Sequence, residues 1–230
     1  MPSTMTDAQQ RTRASRVAAT RDAILTAAEQ LFGEYGIAHV SGRQIGEAAG
    51  QGNTAAVGYH FGGKADLIRA ILARHQHAIN ALRLAELQRV EGRNDIRDWI
   101  ACFVRPTTTH LESLGSPTWY GRFSAQVATD PAWADIAMDE AREAPGLMRI
   151  AHGIQRCLPD LPAPVRVERM TMGRILLTQV IAEHERALER GGARIWANWS
   201  AVADSLIDVV SSLWMAEAVT SPRAAGQSPS

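Results

Sequence analysis

The sequence predicts an all-α fold, with a small N-terminal domain of three helices followed by a larger helical domain. Apolar residues recur at helical spacing in nearly every segment, and no period-two run lies between hairpin turns. The stretch 36–66, GIAHVSGRQIGEAAGQGNTAAVGYHFGGKAD, holds two helix starts separated by a glycine, the pattern of a helix-turn-helix.

In chain order, residues 1–15 are polar and expected to form a disordered arm. Ile24, Ala27, Ala28, Leu31 and Phe32 then make one apolar stripe, with Gly36 as its stop. Ser41 and Gln44 have capping-box spacing, and Val40 and Ile45 occupy the staple positions around them, which fixes a helix start at Ser41. Gly50 ends that helix. Asn53 is a good N-cap for a second short helix running to about His60, and Ala48 and Ala49 let the two cross closely. Further helices are expected at roughly 64–90, 94–113, 117–129, 131–156, 163–190 and 195–219, before a disordered tail at 220–230. The domains read as 16–63 and 64–219.

Composition excludes several classes. Of 230 residues, 24 are basic and 24 acidic, so no whole-molecule field announces a polyanionic partner. Cys102 and Cys157 lack any Cys-x-x-Cys spacing and read as reduced thiols. No signal peptide is visible at the start, and the most apolar stretch, Ile195 to Trp214, is interrupted by Asp204 and Asp208. A cytoplasmic protein that does not span a membrane is expected. His75 and His77 point to different sides of a helix, and His184 shares no face with another ligand, so no metal is expected. Lone histidines in such helices are usually surface groups or satisfied core groups. No nucleophile–base arrangement or cofactor motif emerges, so no enzyme activity and no cofactor are expected. Gly58-x4-Gly63-Lys64 resembles a P-loop, but Ala65 stands where Ser or Thr would hold Mg²⁺ and no strand precedes it.

The second helix of the motif offers chemistry suited to a groove. Asn53, Thr54 and Tyr59 are compact hydrogen-bonding groups, and Ala55 and Ala56 leave room for close approach. Lys64, the only lysine of the chain, stands at a helix start, where its charge opposes the dipole and a phosphate would satisfy both. A hairpin used for protein contacts is the alternative from another class, and a P-loop-like nucleotide binder a remoter one.

The run TRDAILTAAEQLFGEYG, the helix-turn-helix and YHFGGKADLI together resemble the DNA-binding domain of TetR/AcrR-type transcriptional regulators over residues 17–70. The resemblance implies that Ser41 and Arg43 approach the DNA backbone, with Arg43 also compatible with a base contact. Asn53, Thr54 and Ala55 would face the major groove, and Tyr59, His60 and Lys64 would clamp phosphates. From Gly50 to Phe61 the chain is one residue longer than the commonest form, and Gly58 stands where Tyr is frequent, which leaves open which side chains read bases.

The last two helices carry apolar stripes wider than one contact needs, which suggests a homodimer through Ile175, Gln179, Trp199, Val202, Leu206 and Val210. Two reading heads would then meet a pseudo-palindromic double-stranded DNA operator. Phe103, Trp119, Phe123, Trp133, Met138, Met148 and His152 are candidates to line a pocket for a small, largely apolar effector that releases a repressor from its operator.

Overall fold

The computed structural model describes residues 7–51, 55–158, 161–191 and 194–217, and every regular element among them is helical. Helix α1 spans Asp7–Tyr35, a 3-10 turn covers Ile37–His39, and α2 (Gly42–Ala48) and α3 (Ala56–Phe61) complete the N-terminal unit. The remainder comprises α4 (Lys64–Val90), α5 (Ile96–Leu114), α6 (Tyr120–Thr129), α7 (Ala134–Glu143), α8 (Pro145–Cys157), α9 (Ala163–Arg190) and α10 (Trp199–Met215). No helix of the described residues is long and apolar enough to cross a membrane.

Three boundaries differ from the sequence reading. Residues 7–15, expected to be disordered, continue α1. Their Ala, Gln and Arg residues are good helix formers, and neither Gly nor Pro occurs between Asp7 and Gly33. The expected helix at 131–156 is two helices, because Ala144 precedes Pro145 and adopts an extended backbone, φ −80° and ψ 104°. The last helix starts later than expected, at Trp199, where the Asn198 side chain accepts from the Ala201 amide at 2.9 Å. The tail at 220–230 lies outside the described residues.

Helix α1 rests on α2, α4 and α6, while α6 is sandwiched between α1 and α9. Two glycines permit the closest approaches. A Cβ on Gly33 would come within 2.9 Å of the Trp119 Cβ, and one on Gly153 of α8 would overlap the Trp99 indole of α5. Glu185 of α9 is buried at the start of α6. Its carboxylate accepts from Thr118 Oγ1 at 2.7 Å, from the Gly121 and Arg122 amides at 3.0 and 2.8 Å, and from Arg122 Nε at 3.3 Å. An acid from a distant helix thereby supplies the N-terminal cap that the α6 sequence lacks.

Helix α10 corrects the sequence reading of the dimer face. Trp199, Val202, Leu206 and Val210 are buried in the core of the single chain, as are Ala203, Ile207 and Trp214 on the neighbouring stripe. Its apolar width is taken up by α5 and α9 together. Ile175 and Gln179 of α9 do face outward, and Val167, Met170 and Met172 on the same helix are also exposed.

The histidines also depart from expectation. His184 is 1% exposed, and neither ring nitrogen has a hydrogen-bond partner; Trp196 and Trp199 meet its ring edge-on. Burial lowers its pKa, with Arg194 adding to the effect. His110 is pushed down to about 4 by burial and by neighbouring His75, against a smaller opposing influence of Glu29.

Two predictions follow from this packing. Glu185→Ala strands Arg122 and the α6 amides, and should destabilise the fold by about 3–5 kcal/mol in chemical denaturation; a loss below 1 kcal/mol would mean that α6 is held otherwise. Both histidines bind protons more readily in the unfolded chain. Stability should therefore be full above pH ~6.5 and decline toward pH 4, by up to roughly 1.4 kcal/mol per pH unit for each. Denaturation curves that coincide at pH 7 and 5 would contradict neutral burial.

Candidate nucleic-acid interface

The turn into α2 is built from local signals. Ser41 Oγ accepts from the Gln44 amide at 3.3 Å, while Gln44 Oε1 accepts from the Ser41 amide at 2.8 Å, closing the capping box. Val40 and Ile45, the staple pair, are both buried. Ser41 is exposed but its hydroxyl serves the cap. Arg43, two residues along, is exposed, with Glu47 3.6 Å away; so exposed a pair is worth little and yields readily to a phosphate.

Helix α3 begins later than the sequence suggested. Ala55 is its N-cap and Ala56 its first residue, whereas Asn53 and Thr54, expected to start it and to face the groove, lie outside the described residues. Ala56, Val57 and Phe61 are buried and seat the helix. Arg21 of α1 locks its far end, donating to the His60 carbonyl at 2.7 Å with its guanidinium 4.1 Å from the Phe61 ring centroid. Sequence reasoning missed this contact, since a lone arginine 39 positions away carries no pairing signal.

Ala55, Gly58 and Tyr59 face outward, Tyr59 at 81% exposure with its ring edge-on to the half-buried His60. A Cβ built on Gly58 meets nothing within 4 Å. Packing therefore does not require glycine in this helix, although glycine lets another surface approach the backbone closely. Gly58 lies within a helix, so Gly58-x4-Gly63 does not form the open loop that a P-loop needs.

Gly62, at φ 79°, reverses the chain into α4. Here the structure corrects the argument made for Lys64. Its ammonium is not uncompensated; it donates to the Ile37 carbonyl at 2.9 Å and pins α4 to the 3-10 turn. That bond uses one of its three donors. A cleft of about 210 Å³ opens beside it, lined by Gly42, Arg43, Gly58, Gly62, Gly63 and Lys64 over a floor of Ile45, Val57 and Leu67. Two cationic side chains and a glycine-rich helix start around one cleft suit an anionic oxygen group.

The comparisons agree with this geometry. Residues 24–71 match the profile of the bacterial regulatory proteins, tetR family. They are a tetR-family DNA-binding domain. No curated protein matches the sequence. Among solved structures, a candidate tetR-family transcription regulator from Shewanella sp. PV-4 is similar at 17% identity and a TM-score of 0.56, covering 85% of this chain and 96% of that one. The tetR-family domain is thus followed by a helical remainder arranged as in that protein. Candidate regulators from Streptomyces coelicolor A3(2) and Rhodococcus sp. are also similar, at 19% and 16% identity. Each covers 86% of this chain and 99% of its own, with a TM-score of 0.44.

Behind this domain, the residues expected to line an effector pocket do not converge. Met138, Met148 and His152 lie on the solvent faces of α7 and α8. Phe103 and Trp133 are half-buried against the core. Phe123 is fully buried and stacks on Phe32 of α1, centroids 6.0 Å apart, and the Trp119 indole donates to Glu34 of α1 at 3.0 Å. These last two belong to the joint that carries the tetR-family domain. Periodicity gave no hint of a buried relay beside them. His75 Nε2 lies 2.8 Å from Glu29 of α1, His75 Nδ1 lies 2.8 Å from His110 Nε2, and the His75 ring stacks on Tyr120 with centroids 4.0 Å apart.

Gly58→Ala separates the two roles of that glycine. It should raise stability by about 0.5–1 kcal/mol, as alanine does in a helix interior, yet weaken binding to duplex DNA. A variant that is both stabler and fully competent in gel retardation would place the contact elsewhere. Ser41→Ala should cost about 1 kcal/mol of stability through the lost cap, measured by thermal denaturation.

Proposed function

We propose that the protein is a homodimeric repressor that inserts α3 into the major groove of a pseudo-palindromic operator and is released by a small, largely apolar ligand. The observation that carries this is the pairing of an exposed, small-residue helix face with an adjoining cationic, glycine-rich cleft. The helix face suits base edges and the cleft suits the flanking phosphate. Arg43, Ala55, Tyr59 and Lys64 are the described residues assigned to DNA, with His60 at the edge of the contact and Ser41 shaping the turn. Asn53 and Thr54 complete the groove-facing set.

The dimer is assigned to the outward side of α9, where Val167, Met170, Ile175 and Gln179 are all exposed. Its symmetry would place the two α3 helices about 34–36 Å, or a multiple, apart along the duplex. A ligand acting on the helical remainder reaches the head through α6 and α4, both of which pack on α1.

Gel retardation with the duplex upstream of the protein's own coding region, at low ionic strength, tests the reading directly. The duplex should shift, and Arg43→Ala should flatten the log–log salt dependence by about 0.9. Absence of any shift would favour the use of the hairpin for protein contacts. Ile175→Asp, on an exposed face, should leave the melting temperature of the chain near its original value and yield monomers in light scattering. A persistent dimer would move the interface off α9.

A further inference from the structure

Arg83 of α4 is 4% exposed, yet no carboxylate answers its charge. Among the described residues it forms no ion pair; its only hydrogen bond runs to Asn80 Oδ1, and its Nε has no partner. Burial pulls its pKa down to about 10. The one group that opposes this is the Tyr120 phenol, which burial itself holds in the protonated, uncharged form.

The surroundings add positive potential. A Cβ on Gly146 would come within 2.9 Å of Arg83 Cδ and 3.4 Å of Leu87 Cδ1, so the first turn of α8 lies directly on the arginine stem. The start of α8, the positive end of its dipole, therefore packs against the stem of this buried side chain. Ile79 and Leu87 on α4, Ile136 on α7 and Ile150 on α8 supply buried apolar surface in the three helices that meet here. A buried cation without its counter-ion is a costly arrangement that an incoming anion relieves, and the planar guanidinium matches a carboxylate.

We propose that Arg83, Tyr120 and the start of α8 form a binding site for an organic carboxylate, the acid group on Arg83 Nε and the apolar body between α4, α7 and α8. The Tyr120 hydroxyl accepts from Gln76 Nε2 at 3.1 Å, which leaves its own proton to donate to the same anion. This adds a charge to the effector class proposed above. Its regulatory role rests on the repressor reading, whereas the binding itself does not.

The test uses the full chain without DNA. Thermal shift and calorimetry with octanoate and benzoate, against 1-octanol and benzyl alcohol at equal concentration, separate the acid group from the apolar body and an alkyl from an aryl source. At least one acid should bind tenfold tighter than its alcohol, and Arg83→Met should abolish that difference. Equal affinity for acid and alcohol, no binding of either acid, or a response retained in Arg83→Met would overturn the site. The acid-against-alcohol comparison on the natural chain decides the matter even if Arg83→Met does not fold. Gel retardation run in parallel keeps the two readings apart: a shifted duplex with no acid binding removes this site alone, and acid binding with no shifted duplex removes only the regulatory role.

Discussion

The carboxylate of Glu185 sits where the unpaired amides at the head of α6 converge, in a pocket that also holds the Arg122 guanidinium. Two buried charges are expensive to dehydrate, and they persist here because nearly every lone pair and proton has a partner. Much else is placed by this one contact. Anchored to α9 on one side, α6 offers α1 a rigid face on the other. From that face Gln126 donates to the Phe32 carbonyl at 2.8 Å and accepts from the Ile37 amide at 3.0 Å. These bonds serve the backbone at the end of α1 and at the 3-10 turn, the same turn whose carbonyl holds Lys64. The orientation of the DNA-binding head is thereby referred, through α6, to the helix assigned to the dimer.

What the sequence made legible was local. A capping box acts over three residues and a staple over five, so Val40, Ser41, Gln44 and Ile45 announce the start of α2 unaided. Helical spacing likewise gives a helix at roughly 64–90, the span of α4. Long-range partnerships leave no such trace. Glu185 reads as one more polar residue on a helix, and Gly33 as a mild helix breaker; neither reveals that it meets α6. The wide apolar surface of α10 was legible as a fact, but the number of neighbours sharing it was not. A helix wrapped by two others and a helix at a subunit interface have the same pattern.

The site was legible in kind more than in detail. Residues 1–64 contain six basic and five acidic residues, and the balance of the whole chain is zero, so charge content alone would not have pointed to DNA. A head this weakly charged has few cations to offer a phosphate. Arg21 is spent on the end of α3 and Lys64 partly on the 3-10 turn, which leaves Arg43 as the freest cation bordering the cleft. On the proposed reading, affinity would come from close fit and backbone amides more than from counter-ion release. The small side chain of Ala55 and the bare backbone at Gly58 would serve that end.

Control of such a head depends on how its two supports move. Helix α1 is clamped by α6 through Trp119, Phe123 and Gln126, and by α4 through the Glu29–His75 contact. A motion shared by α4 and α6 carries the head along without reorienting it; only a relative motion changes its angle. Tyr120 lies at that joint, stacked on His75 of α4 while opening the first turn of α6. An anion drawn to Arg83 would bear on α4 and α8, whereas Glu185 keeps α6 tied to α9. The pull then acts across the joint. Because α4 runs from the cationic cleft to Arg83, about 28 Å at 1.5 Å per residue, a small tilt at one end becomes a larger displacement at the other.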